Sequence, residues 1–140
     1  MQQDGKGWDT GYEWKIILVL SLTFGLVGLD RFILPVLFPS FMGELGLSYQ
    51  DLGNLVGILA VFWGLSAFAM GFLSDRVGYR TVLIPAVVVF SLMSALSGMA
   101  AGLVSLLVIR AVMGLAEGPV ASIGVAVAVD ASHPKRRGMN

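Results

Sequence analysis

Residues 103–129 read LVSLLVIRAVMGLAEGPVASIGVAVAV, an apolar run whose only charged members are Arg110 and Glu117. At about 1.5 Å of rise per residue, a helix of this length is longer than the roughly 30 Å of hydrocarbon in a bilayer. Three more runs of similar character precede it, at about 14–37, 52–73 and 82–100, and only Ala101-Gly102 separates the last of them from residue 103. The third and fourth runs must therefore form a tight hairpin. Hydrophobic residues fill 56% of the 140 positions, charged ones 13%, and the mean hydropathy is +0.84. A soluble domain carries roughly a quarter charged residues, so the class is an all-α, polytopic transmembrane helix bundle with the lipid bilayer as its solvent.

Local signals set the expected boundaries of the spans. Pro35 and Pro39 are expected to close the first span, because proline cannot continue the backbone ladder. Ser48-Tyr49-Gln50-Asp51 has the form of a capping box that opens the second. The polar decapeptide GFLSDRVGYR, residues 71–80, ends it. Residues 1–13 lack the basic start and small-residue cleavage site of a secretory signal and read as a short flexible cytoplasmic tail. Residues 131–140, polar and basic, read as a cytoplasmic loop that stops short. Lys6, Lys15, Arg76, Arg80, Lys135, Arg136 and Arg137 all fall on one side of a four-span weave, and the other side carries no Lys or Arg. By the positive-inside rule both termini are cytoplasmic, with Trp8, Tyr12 and Trp14 near the inner interface and Tyr49 near the outer one. The expected location is the plasma membrane, which is the inner membrane of a bacterium.

Several function classes drop out. Nine basic residues balance nine acidic ones, so no global field favours nucleic acid. There is no cysteine and only one histidine, His133, so neither a thiolate nor a multi-histidine metal site can be built, and nothing calls for a cofactor. No nucleophile–base set or phosphate loop is visible, which makes an enzyme the weakest reading and leaves no catalytic residue to name. Among the 18 glycines, Gly53-Gly57 and Gly114-Gly118 have the four-residue spacing that lets helices approach closely.

The informative residues are the ionisable groups inside the spans: Asp30 and Arg31 in the first, Arg110 and Glu117 in the fourth. A charge at helix centre costs on the order of 2.5–3.5 kcal/mol even on the permissive insertion scale, so such groups usually face a bundle interior and mark a pathway. At about 100° per residue, Arg110 and Glu117 lie on nearly one helix face, with Gly114 between them. Counted from Lys15 at about 1.5 Å per residue, Asp30 and Arg31 lie roughly 22–24 Å from the inner edge. Counted back from Val127, Glu117 is roughly 15 Å and Arg110 roughly 25 Å from it. A lateral contact of Asp30 with Arg110 is thus feasible. It would leave Arg31 to meet an anion and Glu117 to carry a titratable proton. The bland alternative is a buried ion-pair network that only fixes helix register. Pro119 frees the carbonyl of Leu115 and weakens the fourth span beside Glu117, giving a polar lining or a hinge.

GFLSDRVGYR resembles the signature between the second and third helices of the major facilitator superfamily, matching at Gly71, Asp75, Arg76, Gly78 and Arg80. The resemblance implies a gating loop, with Asp130 at the foot of the fourth span as a partner for its arginines. RAVMGLAEG, residues 110–118, resembles the family's fourth-helix motif. With LDR at 29–31 and ELGLS at 44–48 it is similar to the anion:cation symporter branch. That likeness implies Arg31 for a substrate carboxylate, Asp30 and Glu117 for protons, and Arg110 as the partner of Asp30. Departures from the branch are Gly28 for a tyrosine and Trp63, Ala67 and Ala69 where Tyr, Gln and Pro are frequent. The family has twelve helices, so four are expected to be the beginning of an N-terminal half that needs the remaining transporter helices as partners. The expected function is proton-coupled symport of a small organic anion by alternating access. A drug/proton antiporter of the same superfamily and a non-transporting fragment or scaffold are the rivals.

Overall fold

The computed structural model describes residues 9–134 and Gly138. Lys6, Trp8 and residues 135–137, which contributed to the orientation argument, lie outside the described residues, as does most of the expected tail. The described chain is four helices: α1 (Thr10–Phe41), α2 (Tyr49–Val77), α3 (Tyr79–Ser97) and α4 (Leu103–Ala131). All four are long and apolar enough to cross a membrane.

The helix ends differ from the expected span ends, for identifiable reasons. Helix α1 begins inside the expected tail because the Asp9 carboxylate accepts the Tyr12 N–H at 3.0 Å and caps the first turn. It also runs through both Pro35 and Pro39 to Phe41. Each proline removes one N–H, orphaning the carbonyls of Arg31 and Pro35. Abandoning the helix in lipid would orphan many more, so the helix continues. Helix α2 opens at the anticipated box: the Ser48 N–H donates to Asp51 Oδ2 at 2.8 Å, and the Asp51 N–H reaches Ser48 Oγ at 3.4 Å. It does not end at the signature decapeptide but carries helix through Val77. Gly78 alone separates α2 from α3. Gly78 has φ 86° and ψ 143°, a conformation open to glycine, and its N–H donates to the Ser74 carbonyl at 2.9 Å. Helix α3 ends at Ser97, so the α3–α4 turn takes in residues 98–102.

Helix α4 is the hub. Half of its apolar window is buried, and it packs most extensively on α2, next on α3 and least on α1. Val27, Leu59, Phe90, Met113, Ala116 and Val120, from all four helices, form the central core. Leu34, Phe38, Leu47, Leu55 and Leu106 form a second cluster toward the 42–48 connection. Leu18, Leu22, Leu26, Leu29, Phe32 and Val36 of α1 are exposed, as an apolar helix in lipid allows.

The two glycine pairs are used differently. A Cβ on Gly114 would stand 2.5 Å from the Leu59 carbonyl oxygen, and one on Gly118 would stand 2.6 Å from the Ala67 nitrogen. These two positions bring the α2 and α4 backbones together. Gly53 and Gly57 have nothing within 4 Å of the corresponding point, so no described residue packs on them.

Candidate functional site

The four intramembrane charges converge as two ion pairs between α1 and α4. Asp30 and Arg31 are successive on α1 and diverge by about 100°, so each meets a different residue of α4. Arg110 Nη1 lies 2.8 Å from Asp30 Oδ2, and the Ser94 hydroxyl of α3 donates to Asp30 Oδ1 at 3.2 Å. Arg31 is not left unpaired, as the sequence reading had it: its Nε and Nη2 both reach Glu117 Oε2, each at 2.9 Å. The Arg31 guanidinium also sits over the Trp63 ring of α2, 4.7 Å from its centroid. The two pairs differ in access. Arg110 and Asp30 have side chains 3% and 9% exposed and, with Ser94, line a cavity of about 830 Å³ between α1, α3 and α4, whereas Arg31 is 37% exposed above a fully buried Glu117. The second pair thus presents a cation outward and hides its counter-charge. Glu117 Oε1, Arg110 Nε and Trp63 Nε1 are buried without hydrogen-bond partners among the described residues.

Helix α4 carries Glu117 beside one of its two tight contacts with α2. Gly118 meets the backbone of Trp63 and Ala67, and Pro119 beside it is buried. The Leu115 carbonyl that Pro119 deprives of its helical N–H accepts the Ser66 hydroxyl at 2.6 Å. A residue of α2 therefore takes over the broken bond, and the expected hinge is clamped in this conformation.

At the opposite end, Gly71, Asp75, Gly78 and Asp130 line a cavity of about 300 Å³ between α2, α3 and α4. Asp130 shares this cavity with Asp75 and forms no ion pair with Arg76 or Arg80, the partners expected for it. Both arginines are exposed, and Arg80 lies 5.8 Å from the Tyr79 ring centroid. Because α2 stays helical through Val77, Arg76 is turned about 100° away from Asp75 and so off the cavity wall.

One polar residue escaped the sequence reading. Glu13 is 1% exposed and its Oε1 accepts the His133 N–H at 3.1 Å, tying the start of α1 to the end of α4. Its signal was periodicity: Glu13 heads the buried stripe Ile17, Val27, Asp30, Leu34, Phe38 of α1.

Four helices long and apolar enough to cross a membrane, with two ion pairs joining the first to the fourth, make the described chain a polytopic membrane-helix bundle. The chain belongs to the Major Facilitator Superfamily, whose family model matches residues 20–140. It is similar to the hexuronate transporter of Bacillus subtilis (strain 168), 36% identical across 76% of this chain and 25% of that protein. It is similar to the 4-hydroxybenzoate transporter PcaK of Pseudomonas putida, 33% identical across 76% of this chain and 24% of that protein. The probable L-galactonate transporter of Escherichia coli (strain K12) is 34% identical, across 79% of this chain and 24% of that protein. The chain thus spans about a quarter of the length of these relatives.

Proposed function

We propose that the polypeptide carrying this sequence is a secondary active transporter that moves an organic carboxylate together with protons by alternating access. The relatives named for hexuronate, L-galactonate and 4-hydroxybenzoate support an organic anion as cargo. The observation that carries the reading is the Arg31–Glu117 pair, a half-exposed cation held by a fully buried acid. A substrate carboxylate competes with Glu117 for the same guanidinium. Once Arg31 turns to the substrate, Glu117 would be left as a lone buried carboxylate, which is costly, so it takes up a proton. Anion binding and proton binding then favour each other, and the loss of one releases the other. Asp30, held by Arg110 and Ser94, is the second proton carrier.

The turn with Gly71, Asp75, Arg76, Gly78 and Arg80, together with Asp130, serves as the cytoplasmic gate in this reading. Pro119 is the pivot of α4, released when Ser66 lets go of the Leu115 carbonyl. Both termini of the four-helix unit face the cytoplasm, and the substrate site is completed by helices beyond these four.

The test is uptake by proteoliposomes that hold the complete polypeptide. Glu117→Gln is expected to abolish accumulation of glucuronate or 4-hydroxybenzoate driven by a proton gradient while counterflow of the same anion persists. A variant that still concentrates the anion against its gradient overturns the assignment of Glu117.

A further inference from the structure

Trp63 lies where α2 and α4 approach most closely: its backbone nitrogen and oxygen line the tight contacts at Gly114 and Gly118. Its ring faces the Arg31 guanidinium. The residue as a whole is half-buried, but its one side-chain polar atom, Nε1, is fully buried and unpartnered among the described residues. The side-chain surface that Trp63 offers beside Arg31 is therefore carbon. The neighbouring wall is equally poor in hydrogen-bonding groups. Gly28 precedes Arg31 by one turn of α1 and has nothing within 4 Å of the point where a Cβ would stand. Ala67 follows Trp63 by one turn of α2, and the Ser66 hydroxyl is already committed to the Leu115 carbonyl.

We infer that Trp63 is a specificity-determining residue that makes this site select planar aromatic carboxylates over polyhydroxy acids. The inference rests on the reading that Arg31 takes the substrate's carboxylate. An anion entering here finds a cation, a flat carbon surface and open space at Gly28. A sugar acid would surrender the water around its hydroxyls and, with the guanidinium taken by its carboxylate, meet few donors or acceptors on this wall in return. An aromatic acid such as 4-hydroxybenzoate has a single hydroxyl against the several of a sugar acid, and its ring gains from contact with the indole. The guanidinium is held between the carboxylate and the Trp63 face, so the residue also orients the charge that binds.

The experiment compares uptake of 4-hydroxybenzoate and glucuronate by the complete polypeptide in proteoliposomes, for the wild type and for Trp63→Ala, Trp63→Phe and Arg31→Gln. The wild type is expected to show a KM for 4-hydroxybenzoate at least about tenfold below that for glucuronate, a difference within the reach of one aromatic contact and several unmade hydrogen bonds. Trp63→Ala should shrink that ratio by about tenfold, and Trp63→Phe should restore most of it. Preference for glucuronate in the wild type, or an unchanged ratio in Trp63→Ala, overturns the inference while leaving the role of Arg31 intact if uptake still vanishes in Arg31→Gln. If uptake of both anions survives Arg31→Gln, the site reading fails and the inference fails with it.

Discussion

Asp30→Asn is expected to destabilise the folded bundle by about 3–5 kcal/mol, the usual cost of removing one member of a buried ion pair. Arg110 is 3% exposed and its Nη1 has Asp30 as its ion-pair partner, while its Nε is already without a partner among the described residues. An asparagine keeps the volume and one carbonyl oxygen but removes the counter-charge, so the guanidinium would sit in the bundle as a bare cation. Thermal unfolding of the complete polypeptide in detergent should show a large drop in Tm. Combining Asp30→Asn with Arg110→Leu should recover most of it, because removing both charges leaves nothing unpaired. A double variant as unstable as the single one would mean that the loss comes from packing and not from charge.

Gly118→Leu is expected to cost at least about 3 kcal/mol, beyond the usual range for an added side chain, because the obstacle is backbone. A Cβ at this position would stand 2.6 Å from the Ala67 nitrogen and 2.8 Å from the Trp63 carbonyl oxygen. No rotamer relieves contact with a neighbouring main chain, so α4 must move away from α2. That separation takes the Leu115 carbonyl from Ser66 and shifts Glu117, next to the substituted residue, relative to Trp63, so transport should fail together with stability. A variant with wild-type Tm would show that the α2–α4 spacing is softer than the packing implies.

Much of this was legible in the sequence. Four spans followed from run length and hydropathy, and the box at Ser48–Asp51 followed from side-chain chemistry local enough to read within four residues. The heights of Asp30 and Arg110 followed from helix rise alone, and the structure places those side chains 2.8 Å apart. Other features depend on what lies across a helix interface, which spacing alone does not reveal. Gly53-Gly57 and Gly114-Gly118 share one pattern, yet among the described residues only the second pair has a helix against it. Matching heights joins Asp30 to Arg110 and leaves Arg31 for an anion, whereas its long side chain bridges the difference in height to Glu117. The prolines of α1 break the backbone ladder and so suggest an end to the span, but in lipid a broken helix has no solvent to turn to and the helix continues. Glu13 was hidden by its place in a polar, glycine-containing segment, although its spacing from Ile17 matched the buried face.

If an anion takes Arg31 only as Glu117 takes a proton, anion binding draws protons from solution, and proton uptake on anion binding measures this. The complete polypeptide, in weakly buffered detergent solution with a pH indicator, would be mixed with 4-hydroxybenzoate and separately with glucuronate. Uptake of about one proton per bound anion is expected from the wild type and none from Glu117→Gln at matched occupancy, because linked sites exchange their ligands reciprocally and Asp30 keeps its Arg110 partner when an anion takes Arg31. Anion binding to the wild type with no proton uptake, or uptake that persists in Glu117→Gln, would contradict this coupling.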